Sequence, residues 1–344
     1  MVGAVLVRAG KVIGRGWHRR AGLPHAEIEA LLDAQRRGHS PRGSTLYVTL
    51  EPCSTHGRTP PCTEAIVAAG IRRVVVAARD PNPRHAGRGL VWLRRKGIAV
   101  EVGPLGDEAT ALNEAFNHWI VHRTPLVRVK AAMSLDGKIG TTAGESKWIT
   151  SEKSRAFAMN LRLQADAIIA GVNTIIADDP LLSVRPAGRK ATPLRRFILD
   201  PRGRTPLSAR IFSDSSAPVT VILSARAGLR RQRALEKLCG VWVAPERGGR
   251  MDLRWILKKM GVENITSLLV EGGGETNARF LLQGHAHQVA FFYAPKIIGG
   301  AGARKTVGGS ELRPRSLPLT AVQWLQLGPD LLLLANIRHR PSAP

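Results

Sequence analysis

An α/β fold in two domains is what this sequence predicts, and three observations predict it. Apolar runs at strand spacing alternate with runs at helical spacing along both halves of the chain. The first alternation ends at Arg123-Thr124-Pro125 and a second begins, which places the domains at 1–122 and 123–344. At 344 residues the chain is long enough for each domain to bury a core of its own.

The first domain opens with a hairpin, residues 2–7 and 11–16 around Ala9-Gly10. A helix follows His25, its apolar residues at helical spacing and Gly38 as its stop. Residues 44–50 read as a buried strand, and a short helix runs from Cys62 to Gly70. Next come a strand at 73–78, the loop Asp80-Pro81-Asn82-Pro83, a helix opening at Gly87, a strand at 97–102 and one helix over 108–122. In the second domain, 126–132 is a strand, and Thr150 or Ser151 caps a helix running to about residue 163, with Glu152 in its first turn. Strands are expected at 167–171, 196–200, 219–223, 240–243 and 267–270, with two more at 291–295 and 331–334. A helical turn ends at Ala177-Asp178-Asp179-Pro180, the tail past Arg338 reads as loose, and there is no internal repeat.

Composition excludes several classes. Apolar residues make up 44% of the chain, yet no apolar run approaches the ~20 residues of a membrane span. The N-terminus lacks a signal-peptide pattern. Three cysteines give no disulfide framework, which points to a reducing, cytoplasmic compartment. The formal charge of +25 has two readings, an anionic partner or arginines spread over solvated faces. The arginines recur throughout and aromatics are only 5%, which argues against stacking on single strands. We assign most of the charge to solvated faces and keep a few arginines for phosphates.

The chemistry concentrates first in Pro24-His25-Ala26-Glu27, answered by Glu51-Pro52-Cys53 and Pro61-Cys62. One imidazole and two thiolates are a ligand set for Zn²⁺, which keeps a fourth position for water and lowers its pKa to about 7. A helix N-terminus favours the thiolate that binds metal. Glu27, two residues from His25, is then the proton shuttle rather than a ligand. His-x-Glu followed by paired cysteines is the signature of nucleobase deaminases. Against it stands a scatter of unrelated polar residues, or a redox pair; the loop between the cysteines is too long for the latter.

That loop, Ser54-Thr55-His56-Gly57-Arg58-Thr59-Pro60-Pro61, exceeds the two residues of tRNA and cytidine deaminases. With its flanks it resembles the bifunctional riboflavin-biosynthesis family, a pyrimidine deaminase fused to a reductase. His56 and Arg58 within it suit an anionic substrate. In the second domain, Glu271-Gly272-Gly273-Gly274-Glu275-Thr276-Asn277 follows a strand and opens a helix, as a phosphate-binding turn would, but it misses the dinucleotide fingerprint and alone is more often a tight connection. The runs from Lys130 to Lys138, from Gly144 to Thr150, from Ala177 to Leu182 and from Val270 to Gly273 are similar to the reductase half of the same family. That half is dihydrofolate-reductase-like and uses NADPH.

The resemblance implies a cytidine-deaminase-like three-layer α/β/α domain followed by a dihydrofolate-reductase-like α/β domain. It implies Zn²⁺ on His25, Cys53 and Cys62, and a phosphoribosylamino-pyrimidine substrate that is deaminated and then reduced from ribosyl to ribityl. Ser146, Arg162, Leu182, Arg185 and Glu271 match substrate positions, with Arg162 and Arg185 expected as forks on the phosphate. Ala132, Trp148, Thr174, Asp178 and the run Gly273, Gly274, Glu275, Thr276, Asn277, Ala278 and Arg279 match NADPH positions. Lys130, Asp178 and Glu271 are the ionisable groups expected to protonate the reduced sugar. Singly, Lys130 could be a strand-end charge, Asp178 a cap before Pro180, and Trp148 a core residue. The resemblance also implies a homo-oligomer, a dimer or tetramer.

One departure is expected to matter. Relatives carry a helix and an Asn-Pro-containing loop before the strand that starts here at Val2, so cover on Val5 and Val7, or on Ala4 and Leu6, is expected to be reduced; either the true start lies upstream, or the deaminase half is weakened, with the zinc site kept and turnover low. The competing readings are a tRNA-type base deaminase with an appended domain, favoured by the charge, and a non-catalytic binding protein that retains the fold.

Overall fold

The computed structural model describes residues 1–20, 22–56, 59–83, 85–143, 148–184, 193–309 and 316–338. They form two compact units, Met1–His122 and Arg123–Pro344.

The first unit is built on a sheet ordered β2-β1-β3-β4-β5, from β1 (Gly3–Arg8), β2 (Lys11–Trp17), β3 (Thr45–Leu50), β4 (Arg73–Ala78) and β5 (Ala99–Val102). The turn between β1 and β2 has Ala9 and Gly10 at φ 48° and 75°, the left-handed pair that matches strand twist. β1 runs antiparallel to β2 and β3, while β3, β4 and β5 are parallel. Ala4, Leu6, Leu46, Val48, Val74 and Val76 line one face and pack with α1 (Ala26–Arg36), α2 (Cys62–Ala68) and α3 (Arg88–Arg95). On the opposite face Val5 and Val7 are half-buried and Tyr47 is exposed.

Residues 106–122 form two helices rather than the expected one, α4 (Gly106–Leu112) and α5 (Glu114–His122). Asn113 breaks them at φ −117°, its buried side chain accepting from the Met1 ammonium. A polar side chain with a partner outside the helix competes with continuation.

The second unit is organised by a nine-stranded sheet ordered β11-β10-β9-β8-β14-β6-β15-β18-β17. Its strands are β6 (Leu126–Ser134), β8 (Ala167–Gly171), β9 (Arg195–Leu199), β10 (Val219–Leu223), β11 (Gly240–Val243), β14 (Ser267–Val270), β15 (Gln288–Ala294), β17 (Leu319–Leu327) and β18 (Asp330–Ile337). All neighbours are parallel except the β15-β18-β17 edge. Two short ribbons stand apart, β7 (Lys138–Gly140) with β16 (Arg304–Lys305), and β12 (Glu246–Arg247) with β13 (Arg250–Met251). Both sheet faces are covered, so adjacent strand residues feed opposite cores: Ile168 and Ile198 pack with Leu161 of α6 (Glu152–Gln164), Ile175 of α7 (Val172–Asp178) and Leu235 of α8 (Leu229–Glu236), whereas Ile169 and Phe197 pack with Ile256 of α9 (Leu253–Val262) and Phe280 of α10 (Gly274–Leu282). The Ser151 side chain caps α6, accepting from the Ser154 N–H at 3.4 Å.

The sequence reading omitted α8, α9 and β17. α9 carried a readable signal, since Asp252 accepts from the N–H groups of Arg254 and Trp255. β17 carried a weak one, because it is exposed on both faces apart from its last residue and so shows no buried stripe.

Candidate functional site

In the first unit the residues that matter gather at the carboxyl end of β3. Helix α1 lies flush against β2 because that strand offers glycines: a Cβ at Gly16 would sit 2.2 Å from the Ala26 carbonyl oxygen, and one at Gly14 2.3 Å from that of Ala30. This close approach fixes the start of α1, hence His25 at its N-cap and Glu27 in its first turn. Cys62 opens α2, and Cys53 follows β3.

The His25, Cys53 and Cys62 ligand atoms lie within 4.8 Å of one another. His25 Nδ1 is 3.2 Å from Cys62 Sγ and 3.5 Å from Cys53 Sγ. A tetrahedral zinc with bonds of ~2.0–2.3 Å separates its ligands by roughly 3.5–3.8 Å, so the donor set fits the ion. His25 Nε2 faces Thr59 Oγ1 at 3.3 Å, the outer contact that leaves Nδ1 for metal. The Cys62–Cys53 hydrogen bond pushes the Cys53 thiol down and the Cys62 thiol up, and the Cys62 N–H also donates to Cys53 Sγ at 3.3 Å. A bound dication deprotonates a coordinating thiol outright.

Glu27 is 3% exposed, and burial raises its carboxyl pKa, as suits a group that must hold a proton part of the time. Glu51, quoted in the motif but given no role by sequence reasoning, is also buried. Its carboxylate accepts from the N–H groups of Asp80, Gly87 and Gly89 at 3.2, 2.9 and 3.0 Å, tying the Cys53 loop to the start of α3. His56 is exposed, and Arg58 lies outside the described residues.

In the second unit a cleft of about 1130 Å³ opens at the carboxyl ends of the parallel strands, where open α/β sheets bind ligands. Sheet register explains its centre. Val129 of β6 pairs with Val270 of β14, and Val270 pairs with Ile169 of β8. The next residues, Lys130 and Glu271, therefore emerge side by side, and Lys130 Nζ lies 3.4 Å from Glu271 Oε2. Arg162 of α6 closes the group, its Nε and Nη2 on the two Glu271 oxygens at 2.8 and 3.0 Å and its Nη1 on the Ser183 carbonyl at 2.8 Å. Burial pushes the Glu271 carboxyl up, but the Arg162 and Lys130 cations outweigh it and hold the group at about 2.

Two expectations change accordingly. The Arg162 fork is engaged by Glu271 rather than left open for a phosphate. Glu271 is ionised at neutral pH, so of the three groups expected to protonate the sugar it holds no proton to give, while Lys130 and Asp178 both remain at the cleft.

Leu182 is buried at φ 51° and Asp179 stands at φ 41°, so the wall at 179–182 holds two non-glycine residues in a left-handed conformation. Asp178, Thr174 and Ala132 line the cleft, and Thr174 Oγ1 accepts from the Gly273 N–H at 3.1 Å. Trp148 is 65% exposed and lies at the cleft, not in a core, with the Arg155 guanidinium 4.6 Å from its ring centre.

Of the turn and helix that follow, Gly273, Gly274, Glu275, Thr276 and Arg279 line the cleft, but Asn277 and Ala278 do not. Helical periodicity turns them away: Asn277 donates to the Thr306 carbonyl at 3.0 Å, and Ala278 is fully buried. A Cβ at Gly274 would lie 2.1 Å from the Lys305 carbonyl, so this glycine serves close packing. Ser146 and Arg185 lie outside the described residues.

Among the described residues, the lining holds eight basic side chains (Lys130, Arg155, Arg162, Arg204, Arg210, Arg279, Arg304, Lys305) against four acidic ones (Asp178, Asp179, Glu271, Glu275). Size, basicity and the open N-terminus of α10 fit a phosphorylated dinucleotide beside a second anionic ligand.

Comparison with known proteins agrees with both halves. Residues 1–78 match the family model of the cytidine and deoxycytidylate deaminase zinc-binding region, and residues 125–333 match that of the RibD C-terminal domain. The chain is 44% identical over 332 residues to riboflavin biosynthesis protein RibD of Aquifex aeolicus (strain VF5), covering 96% of this chain and 90% of that one. It is 37% identical to the same-named protein of Escherichia coli (strain K12), covering 96% and 92%. Among solved structures, Acinetobacter baumannii RibD superposes with TM-score 0.84 at 35% identity, covering 98% of this chain and 92% of that one. The Thermotoga maritima diaminohydroxyphosphoribosylaminopyrimidine deaminase/5-amino-6-(5-phosphoribosylamino)uracil reductase superposes with TM-score 0.83 at 34% identity over the same shares.

Proposed function

The chain belongs to the RibD family of riboflavin-biosynthesis proteins, and on that premise we propose how its residues divide two successive reactions. It is a bifunctional enzyme, a zinc-dependent deaminase joined to an NADPH-dependent reductase.

In the first reaction a diamino-phosphoribosylamino-pyrimidinone exchanges a ring amine for oxygen from water and ammonia leaves. His25, Cys53 and Cys62 hold zinc, which supplies Lewis acidity toward that water. Glu27 takes the proton from the attacking water and returns it to the departing amine; its burial and raised pKa support this role. His56 and Arg58 receive the anionic substrate.

In the second reaction NADPH bound in the cleft would supply a hydride to the anomeric ribosyl carbon; the ring C–O bond would break and its oxygen would take up a proton, giving the ribityl chain. Lys130 delivers that proton. Glu271 orients Lys130, and Arg162 holds Glu271 ionised; the paired distances support this division. Leu182, with Ser146 and Arg185, completes the substrate side. Ala132, Trp148, Thr174, Asp178, the Gly273–Thr276 turn and Arg279 form the cofactor side, with Asn277 and Ala278 shaping the helix behind it.

We further propose that the enzyme is cytoplasmic, which its free cysteines support, and that it is a homo-oligomer. The exposed edge strand β17, with Val322, Trp324 and Leu325 on its surface, supports the second point. Among the described residues no helix is long and apolar enough to cross a membrane.

The observation that carries the reading is the three-ligand cluster beside buried Glu27. Zinc content, ammonia release and NADPH oxidation, followed separately on the purified chain, test it. We expect one zinc per chain and chelator-sensitive ammonia release. Ammonia release that persists after zinc is stripped would overturn it.

A further inference from the structure

We propose that Arg196 is a positioning residue of the second reaction: it fixes the main chain at 181–183 in the orientation that receives the phosphoribosylamino-pyrimidine. This rests on the reading of Leu182 as part of the substrate side. Leu181, Leu182 and Ser183 all line the cleft. The Leu182 side chain is buried and packs into the core with Ile168 and Ile198, so main chain is what this position offers a ligand. Leu182 stands at φ 51°, a left-handed conformation that a leucine keeps only where its surroundings over-determine it. The direction its peptide groups face therefore depends on what holds the residues beside it.

Two arginines hold them. Arg196 of β9 is fully buried, although the three residues after it in the strand are all apolar. Its four terminal N–H bonds meet four acceptors. Nη1 donates to the Leu181 carbonyl and to Asp214 Oδ2, each at 3.0 Å, and Nη2 donates to the carbonyls of Asp214 and Ala217. On the other side of Leu182, Arg162 Nη1 donates to the Ser183 carbonyl at 2.8 Å, from the same guanidinium that grips Glu271. The start of the wall is tied as well, since the Asp179 carboxylate accepts from the Arg210 N–H at 2.9 Å. Burying a cation is costly unless it is paired and hydrogen-bonded. Here the pairing with Asp214 leaves one N–H for the cleft wall, and that bond falls on the residue before the strained one.

Steady-state NADPH oxidation on the already deaminated substrate tests this, with ammonia release by the first unit as the check that the full-length chain is intact. Arg196→Lys keeps the charge and loses the fork. It should raise KM for the deaminated substrate about 10-fold, the worth of one hydrogen bond. KM for NADPH, kcat and ammonia release should change little. Glycine adopts the left-handed conformation unaided, so Arg196→Lys should cost less in a Leu182→Gly chain than in the wild type. Asp214→Asn, at the half-buried partner of Arg196, should raise the same KM and carries the test if Arg196→Lys does not fold. Three results would each overturn the positioning role while the substrate-side reading stands: both KM values unchanged whatever the melting midpoint does, both rising together, or an equal rise with leucine and with glycine at 182. A rise in KM for NADPH alone would place the wall on the cofactor side and overturn that reading and the proposal together.

Discussion

Residue by residue, the second unit turns on a single carboxylate. Glu271 is held at about 2 against an ordinary 4.5, so its folded pKa is depressed. The sign follows: its stabilisation is complete above 4.5 and is lost as pH falls from there through 2, on the order of 3 kcal/mol in all. Denaturant unfolding of wild type and Glu271→Gln should show a gap in stability that closes over that window. A gap constant with pH would contradict the ion-pair account. Lys130→Met should slow NADPH oxidation by about 10²–10⁴-fold, as for a lost general acid, with NADPH affinity little changed; steady-state rates beside binding constants check it. The individual ligands were legible because zinc chemistry demands particular atoms at short spacing. The engagement of Arg162 with Glu271 was not, because the partners are far apart in sequence and meet only where α6 packs on the sheet beside β14. Nor did the motif show which residues of the run 273–279 face away, since that depends on where α10 begins.

Among the elements, the packing of α1 on β2 sets the zinc site. Gly16→Val should force the helix outward, because its Cβ would meet the Ala26 carbonyl oxygen at 2.2 Å and the Ala30 nitrogen at 2.3 Å. Overpacking of this kind costs about 1–3 kcal/mol, and here it should also lower zinc retention during dialysis, since the same shift displaces His25. Full zinc occupancy in a stably folded Gly16→Val chain would show that helix placement and ligand placement are independent. Elements with a buried stripe or a cap, such as β8 and α6, could be read from sequence. β17 could not, because an edge strand exposed on both faces lacks the alternation that marks a half-buried one. The break between α4 and α5 was hidden for another reason: Asn113 ends the helix through a contact with Met1, at the far end of the unit's sequence.

For the whole molecule, the charge of +25 is partly explained. Among the described residues eight basic side chains converge on one cleft, while arginines recur along the rest of the sequence. Two units with separate cores carry two chemistries, and the claim that these are separable is the centre of the account. The most direct test is Glu27→Gln on the full-length chain, with ammonia release from the diamino substrate and NADPH oxidation on the already deaminated one measured in the same preparation. We expect zinc to be retained, ammonia release to fall by about 10²–10⁴-fold and NADPH oxidation to stay at the wild-type rate. If both rates fell together, or if ammonia release continued undiminished, the assignment of one reaction to each unit would be contradicted.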